Sequence, residues 1–376
     1  MSMRLLIECA RARPDDTAIR RAAAAVDDWE RLLEQADRHG MEPLLCWYLE
    51  RCPDVVPAAV LGRLRDRLHA GAANSLKLAA ELGRLVALFD QAGIEVVPFK
   101  GPAIAWSLYE SPALRQMSDL DLLVRPADAQ RAVDLLVANG CRSEGGTDLR
   151  FLRSARELHF ASPADVALDL HWAMAPAHFC HALDVERFWS RLVTVSVAGR
   201  SIRTLAPEDL LVFLCVHGAK HFWCSLRWLC DLARLIERVP LDWDGLMAYA
   251  RARRVSRSGN AGRVLAADVL GAAVPPAILA SARDCPRASQ IASLAQLWLH
   301  GRPVPSVTMP FEFRFQLSLL ERRSDKLRIY WSRVAPTPAD FDSLALPRPL
   351  FPVYYALRPL RLMAKYSGLA ARRLFS

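Results

Sequence analysis

Residues 96–124, VVPFKGPAIAWSLYESPALRQMSDLDLLV, constrain this chain more than any other stretch. An apolar run ends in Lys100-Gly101-Pro102. A short apolar helical pattern follows, and a second apolar run then carries Asp119 and Asp121 one residue apart. Side chains alternate along a strand, so both carboxylates project from one face and Leu120, Leu122 and Val124 from the other. Two acids sharing a face of a core strand repel unless a cation sits between them, and Mg²⁺ (or Mn²⁺) carrying a triphosphate meets that need. A solvated strand end is the plain alternative. The stretch predicts a strand over Ile94–Phe99, a tight turn, a helix over Pro102–Tyr109 and a strand over Leu120–Val124.

The turn adds a second element of phosphate chemistry. Gly101 allows close backbone approach, Pro102 suits a first helical position, and a turn between strand and helix favours an anion. Lys100 brings a point charge, and Arg115 stands where it can contact phosphate or pair with the carboxylates. The Gly-x-x-x-x-Gly-Lys spacing of a Walker loop is absent. A later alternating run, Val166 to Trp172, sets Leu168 and Leu170 on one face and Asp169 and His171 on the other. A third carboxylate from a neighbouring strand suits a two-metal site, in which one ion activates the attacking oxygen and the other holds the triphosphate.

Around this centre the chain is mostly helical. Residues 1–92 carry helical periodicity, including a long pattern over Pro57–Ala92. After the acidic strand come a helix over Pro126–Asn139, strands over Arg156–Ala161 and Val166–Trp172 joined by a Ser-Pro-Ala-Asp turn, and a hairpin over Leu192–Leu205. From Pro207 the pattern is helical again, and prolines recur beyond Pro275. The 376 residues are 52% hydrophobic, enough for a substantial core. No 18-residue apolar window lacks charge, and the opening apolar run is too short for a secretory signal. The nine cysteines form no Cys-x-x-Cys pair and read as reduced thiols in a cytosolic protein. After Asp342 the chain has six cations and no acid, which is two thirds of the net charge of +9. A charge concentrated in a tail argues against a nucleic-acid groove spread over the surface.

The strand-Lys100-Gly101 turn, Arg115 before Asp119-Leu120-Asp121, and Leu168-Asp169-Leu170-His171-Trp172 together resemble the polymerase-β-type nucleotidyltransferase superfamily. They resemble more closely the bacterial proteins grouped as a nucleotidyltransferase family, which also share a helical segment like Pro207–Ile236. The resemblance spans about Trp29 to Arg254. It implies an α+β fold, with a small mixed β-sheet flanked by N- and C-terminal helical regions. It also implies that Asp119 and Asp121 ligate metal, that Asp169 is the third carboxylate and a base, and that Gly101 lies in the triphosphate turn. The superfamily's Gly-Ser or Gly-Gly is Lys100-Gly101 here, so the serine contact to phosphate is missing. The expected division is a helical region over 1–92, the α/β core over 93–205, a covering helical domain over 206–300 and a basic extension over 301–376.

Three further groups carry chemistry. His217 and His221 share a helix face with Lys220, and Arg227 follows. They form either a polar cover that binds nucleotide or acceptor phosphates, or a structural network in which Arg227 pairs with Asp231. His178 and His181 form a short cluster that suits a metal or nothing. The basic aromatic tail, with Phe351, Tyr354, Tyr355 and Tyr366, either docks on an anionic membrane surface or packs on the domain. The expected activity is NMP transfer from an NTP to an unidentified acceptor (a small molecule, sugar phosphate, peptide or protein) with release of pyrophosphate. The alternative is a non-catalytic nucleotide- or partner-binding module.

Overall fold

The protein is described from a computed structural model, which covers residues 2–143, 156–174, 183–300, 309–334, 350 and 353–362. The N-terminal part is helical: α1 (Ser2–Ala10), α2 (Asp16–Ala24), α3 (Trp29–His39), α4 (Glu42–Leu49) and α5 (Ala58–Gln91). Asp28 caps α3 by accepting a hydrogen bond from the Arg31 N–H, and buried Leu32, Leu33 and Ala36 form its inner stripe. The 34-residue α5 begins just after Pro57 and buries Leu78, Leu82, Leu85 and Phe89 along its second half.

The chain then builds β1 (Val96–Pro98), α6 (Pro102–Leu108), β2 (Asp119–Val124), α7 (Ala129–Ala138), β3 (Arg142–Ser143), β4 (Glu157–Ala161) and β5 (Ala167–His171). These strands form one mixed sheet in the order β1-β2-β5-β4-β3, in which β2 and β5 run parallel and the other pairs antiparallel. The architecture is α+β, with the sheet set between helical regions. The Ser162–Asp165 turn closes the β4–β5 hairpin, with the Asp165 N–H donating to the Ser162 carbonyl. After α8 (Val185–Ser190), strands β6 (Val193–Val197) and β7 (Arg200–Thr204) pair as a separate hairpin. The Thr204 hydroxyl donates to the Pro98 carbonyl and ties that hairpin to the β1 edge.

A helical body follows: α9 (Pro207–Lys220), α10 (Leu226–Arg238), α11 (Trp243–Arg253), α12 (Ser256–Leu270), α13 (Pro276–Arg283) and α14 (Pro286–Leu299). Two of the prolines beyond residue 275 open helices: Pro276 and Pro286 stand at first helical positions, where a missing N–H costs nothing. Helices α15 (Met309–Leu319) and α16 (Arg323–Val334) come next. In the tail, residues 353–362 are helical, Tyr354 is buried, and Val353, Tyr355 and Leu360 are exposed. His178, His181, Phe351 and Tyr366 lie outside the described residues. No described helix is long and apolar enough to cross a membrane. Eight cysteines lie among the described residues, and all are free.

The sheet separates two cores. On one face Leu120, Leu122, Val124, Leu158, Leu168 and Leu170 pack with α5 and α7. The larger core joins α1–α4 to α9–α14 in one cluster of buried residues. The seam is tied at several points. The Ala12 N–H donates to the Leu270 carbonyl, and the Ser225 hydroxyl donates to the His39 carbonyl.

His39 is buried at this seam, where its Nδ1 accepts from the Leu226 N–H at 3.4 Å. Burial, then the nearby Arg38 charge, lower its pKa to about 4. The unfolded chain therefore takes up a proton that the folded protein refuses. The contribution to stability is complete above the ordinary histidine value and is lost as the pH falls toward 4, on the order of 3 kcal/mol in all. Thermal unfolding from pH 7 to pH 4 should show wild-type stability falling more steeply than that of His39→Gln.

Candidate active site

The site forms on the sheet face opposite the α5–α7 core. Cross-strand register places Asp121 directly beside Asp169, and His171 one pleat further on, opposite Glu157 of β4. The tight group is Asp121, Asp169 and His171, whose ligand atoms lie within 4.8 Å of one another. Asp119 shares their face but stands opposite Ala167, one pleat away, and is not part of that group. The three carboxylates expected from the sequence share this face, and His171 stands with two of them.

Asp121 is the most heavily engaged group. Its Oδ1 accepts from Lys100 Nζ at 2.5 Å and from His171 Nε2 at 3.1 Å, and only 4% of the side chain is exposed. The other ring nitrogen of His171, Nδ1, lies 3.0 Å from Glu157 Oε2. Burial opposes ionisation of Asp121, but Lys100 and His171 outweigh it and hold the carboxyl well below its ordinary range. His171 is raised in turn: burial works against its charge, and the hydrogen bonds to Asp121 and Glu157 prevail. Glu157 is drawn down to about 2, chiefly by His171. An imidazolium between two carboxylates is the consistent state, so His171 orients Asp121. Asp119 moves the other way, raised by burial and by the charge of Asp121. Asp169 accepts from His159 Nδ1 at 2.7 Å.

Two chambers open on this face, and Lys100, Asp121 and His217 line both. The larger, about 250 Å³, is bounded by Glu157, Asp169, His171, Lys220 and His221 on its polar side and by Phe99, Met174 and Phe213 on its apolar side. The smaller, about 160 Å³, is bounded by Gly101, Arg115, Ser118, Asp119, Arg227 and Trp228. Gly101 sits at φ +55°, and a Cβ there would lie 3.1 Å from the Asp119 carbonyl, so the turn requires glycine. Helix α6 is only seven residues long and opens with a proline. Its dipole is correspondingly modest, and anion binding falls mainly to side chains.

Arg227 is the cation suited to that task. Burial and the neighbouring Arg115 press on its charge, and among the described residues it makes no ion pair. Asp231, one turn along α10, instead takes the Arg115 fork, with Nε–Oδ1 at 2.9 Å and Nη2–Oδ2 at 2.8 Å, plus the Tyr109 hydroxyl at 2.8 Å. The Arg115 guanidinium, which lines the smaller chamber, pairs with Asp231 and not with the β2 carboxylates. The Arg227–Asp231 pair is absent for the same reason, because a planar bidentate partner displaces a flexible neighbour on the same helix.

The rings of His217 and His221 stack 4.7 Å apart, with Trp228 against both. Burial, then Lys220 and Lys100, lower His221 to about 4; burial and Lys100 hold His217 well below its ordinary value. Both are neutral walls. Lys220 borders the larger chamber and adds positive potential at Glu157. Sequence reasoning missed Glu157, His159 and Ser118. The alternation Glu157-Leu158-His159 placed the first two on one face, but only the β4–β5 register brings them to the acids.

Residues 26–271 match the model of a family described as "Uncharacterised nucleotidyltransferase". The chain belongs to that family. Its matched span contains every site residue named above and helices α9–α12. No curated protein matches the chain. Among solved structures, an antigenic nucleotidyltransferase-like protein from Paracoccidioides brasiliensis shares 15% identity at a TM-score of 0.32. That match covers 47% of this chain and 86% of the other. In this family member the Arg115–Asp231 pair joins the loop before β2 to helix α10. Asp231→Asn removes the charge opposing a buried guanidinium and should cost about 3–5 kcal/mol in denaturant unfolding.

Proposed function

We propose that this family member is a metal-dependent nucleotidyltransferase that moves NMP from an NTP to an acceptor and releases pyrophosphate. The supporting observation is the in-register pairing of Asp121 with Asp169, with Asp119 on the same face and, across the smaller chamber, Arg227, which makes no ion pair among the described residues. The residues fit a hard divalent cation. Asp119, Asp121 and Asp169 are oxygen donors, and the buried Asp121 already holds a cation, the Lys100 ammonium. Asp119, raised by burial and Asp121, would gain most from added positive charge. A bound Mg²⁺ or Mn²⁺ would supply neutralisation of phosphate charge and acidify the attacking hydroxyl.

In this reading the chain's own groups divide the work. Arg227, Ser118 and the Gly101 turn hold the triphosphate in the smaller chamber. The acceptor enters the larger chamber, and an Asp169 oxygen takes its proton. The acceptor oxygen forms a bond to the α-phosphorus as the bond to the bridging oxygen breaks. Glu157 fixes His171, and His171 fixes the Asp121 carboxylate. Phe99, Met174 and Phe213 limit water on the acceptor side. The small chambers favour a small acceptor or a single side chain over a duplex.

Each of the four NTPs with Mg²⁺ or Mn²⁺, presented with small hydroxylated acceptors, gives a direct assay through pyrophosphate release. Asp121→Asn and Asp169→Asn should lower turnover by roughly 10³-fold or more while leaving circular dichroism unchanged. Turnover at the wild-type level in either variant rules the assignment out.

A further inference from the structure

The position of Lys100 carries a consequence for how the site fills. A carboxylate as buried as Asp121 is costly unless a positive group stands against it. Lys100 Nζ meets Oδ1 at 2.5 Å, on the same oxygen that His171 reaches at 3.1 Å. A divalent cation ligated by Asp121 and the Lys100 ammonium cannot both remain there, because like charges at such separations repel strongly in a partly buried site. Lys100 also borders the smaller chamber with Gly101, Ser118 and Arg227, where the proposed function places the triphosphate. The ammonium is flanked by the Phe99 and Phe213 rings at 5.4 and 5.8 Å, which stabilise a cation without fixing it in one direction. A four-carbon stem lets the charge cross from one chamber to the other by rotamer changes alone.

We propose that Lys100 is an internal counter-cation that occupies Asp121 until nucleotide arrives, then transfers to the triphosphate and vacates the carboxylate for metal. The inference rests on the proposed function and adds a coupling between the two ligands. Metal alone meets a site that is already neutralised and binds weakly. Nucleotide offers Lys100 a new anionic partner, so each ligand raises the affinity of the other by the same factor. Lys100 is thus a positioning residue whose removal tightens metal binding and weakens nucleotide binding.

The test is titration of the full chain with Mn²⁺ alone, followed by calorimetry or by the loss of free-ion electron paramagnetic resonance signal. Lys100→Gln should bind Mn²⁺ about tenfold or more tighter than wild type. Lys100→Arg, which keeps the charge, should stay close to wild type. The double variant Lys100→Gln/Asp121→Asn should lose the gain, and in turnover Lys100→Gln should raise KM for the metal–NTP complex. Unchanged or weaker Mn²⁺ binding in Lys100→Gln overturns the proposal, as does a gain that survives in the double variant or appears equally in Lys100→Arg. NTP turnover by wild type alongside unchanged Mn²⁺ affinity in Lys100→Gln sinks this inference alone. Absence of Mn²⁺ binding in both proteins, with secondary structure intact, removes the inference and the metal from the proposed function together.

Discussion

A charge buried on a sheet determines the arrangement around it. Asp121 is almost fully enclosed, yet it is held ionised. Its stability depends on positive partners drawn from two directions: Lys100 from the turn after β1, and His171 from the parallel strand β5. Glu157 on the next strand balances the imidazolium. The result is an alternating row of charge, Lys100–Asp121–His171–Glu157, across three strands and the turn that follows β1. Removing Asp121 or His171 strips an end member of its partner in the row, which is the expensive condition for buried ions. Much of the apparent polarity of the site is therefore the support that lets acids exist there at all.

The parts of this arrangement that were legible in sequence are those that follow from local period. Alternation placed Asp119 and Asp121 on one face, and Asp169 with His171 on one face, and both placements stand in the strands. The helix patterns over Pro57–Ala92 and from Pro207 were equally local. What sequence could not supply was register. Whether Asp119 or Asp121 meets Asp169 depends on a shift of one pleat between strands far apart in the chain. Arg115 and Asp231 are 116 residues apart, and no local rule points from one to the other. Asp231 had a plausible helical partner in Arg227, and a longer-range fork with better geometry took it. The sequence showed only that prolines recur beyond Pro275, because the role of Pro276 and Pro286 as first helical residues depends on where the preceding helix ends.

The helical cover is held by packing that is itself strained. Phe222 and Trp223 both adopt positive φ, +60° and +53°, directly after α9. Side chains with a Cβ take that conformation at a cost of roughly 1–3 kcal/mol each. The compensation is the Trp223 indole, fully buried between Gly218 of α9 and Gly262 of α12. A Cβ on Gly218 would lie 2.4 Å from that ring, so the notch exists only because the position is glycine. This plug fixes the end of α9 that presents His217, Lys220 and His221 to the chambers. The large core contributes to function here by aiming three side chains that it does not itself contain.

The two chambers place different demands on their walls, and the charge distribution meets them separately. In the smaller, Lys100 and Arg115 stand against Asp121 and Asp231, Asp119 adds a further acid, and Arg227 makes no ion pair among the described residues. The larger interleaves Glu157 and Asp169 with Lys220, and adds two neutral histidines and an apolar side. In the proposed reaction Arg227 draws the polyphosphate to the first. A hydroxyl-bearing acceptor suits the second, where a carboxylate can accept its proton. Lys100 and Asp121 stand at the wall shared by the two chambers, where the proposed reaction would set an α-phosphorus between triphosphate and acceptor.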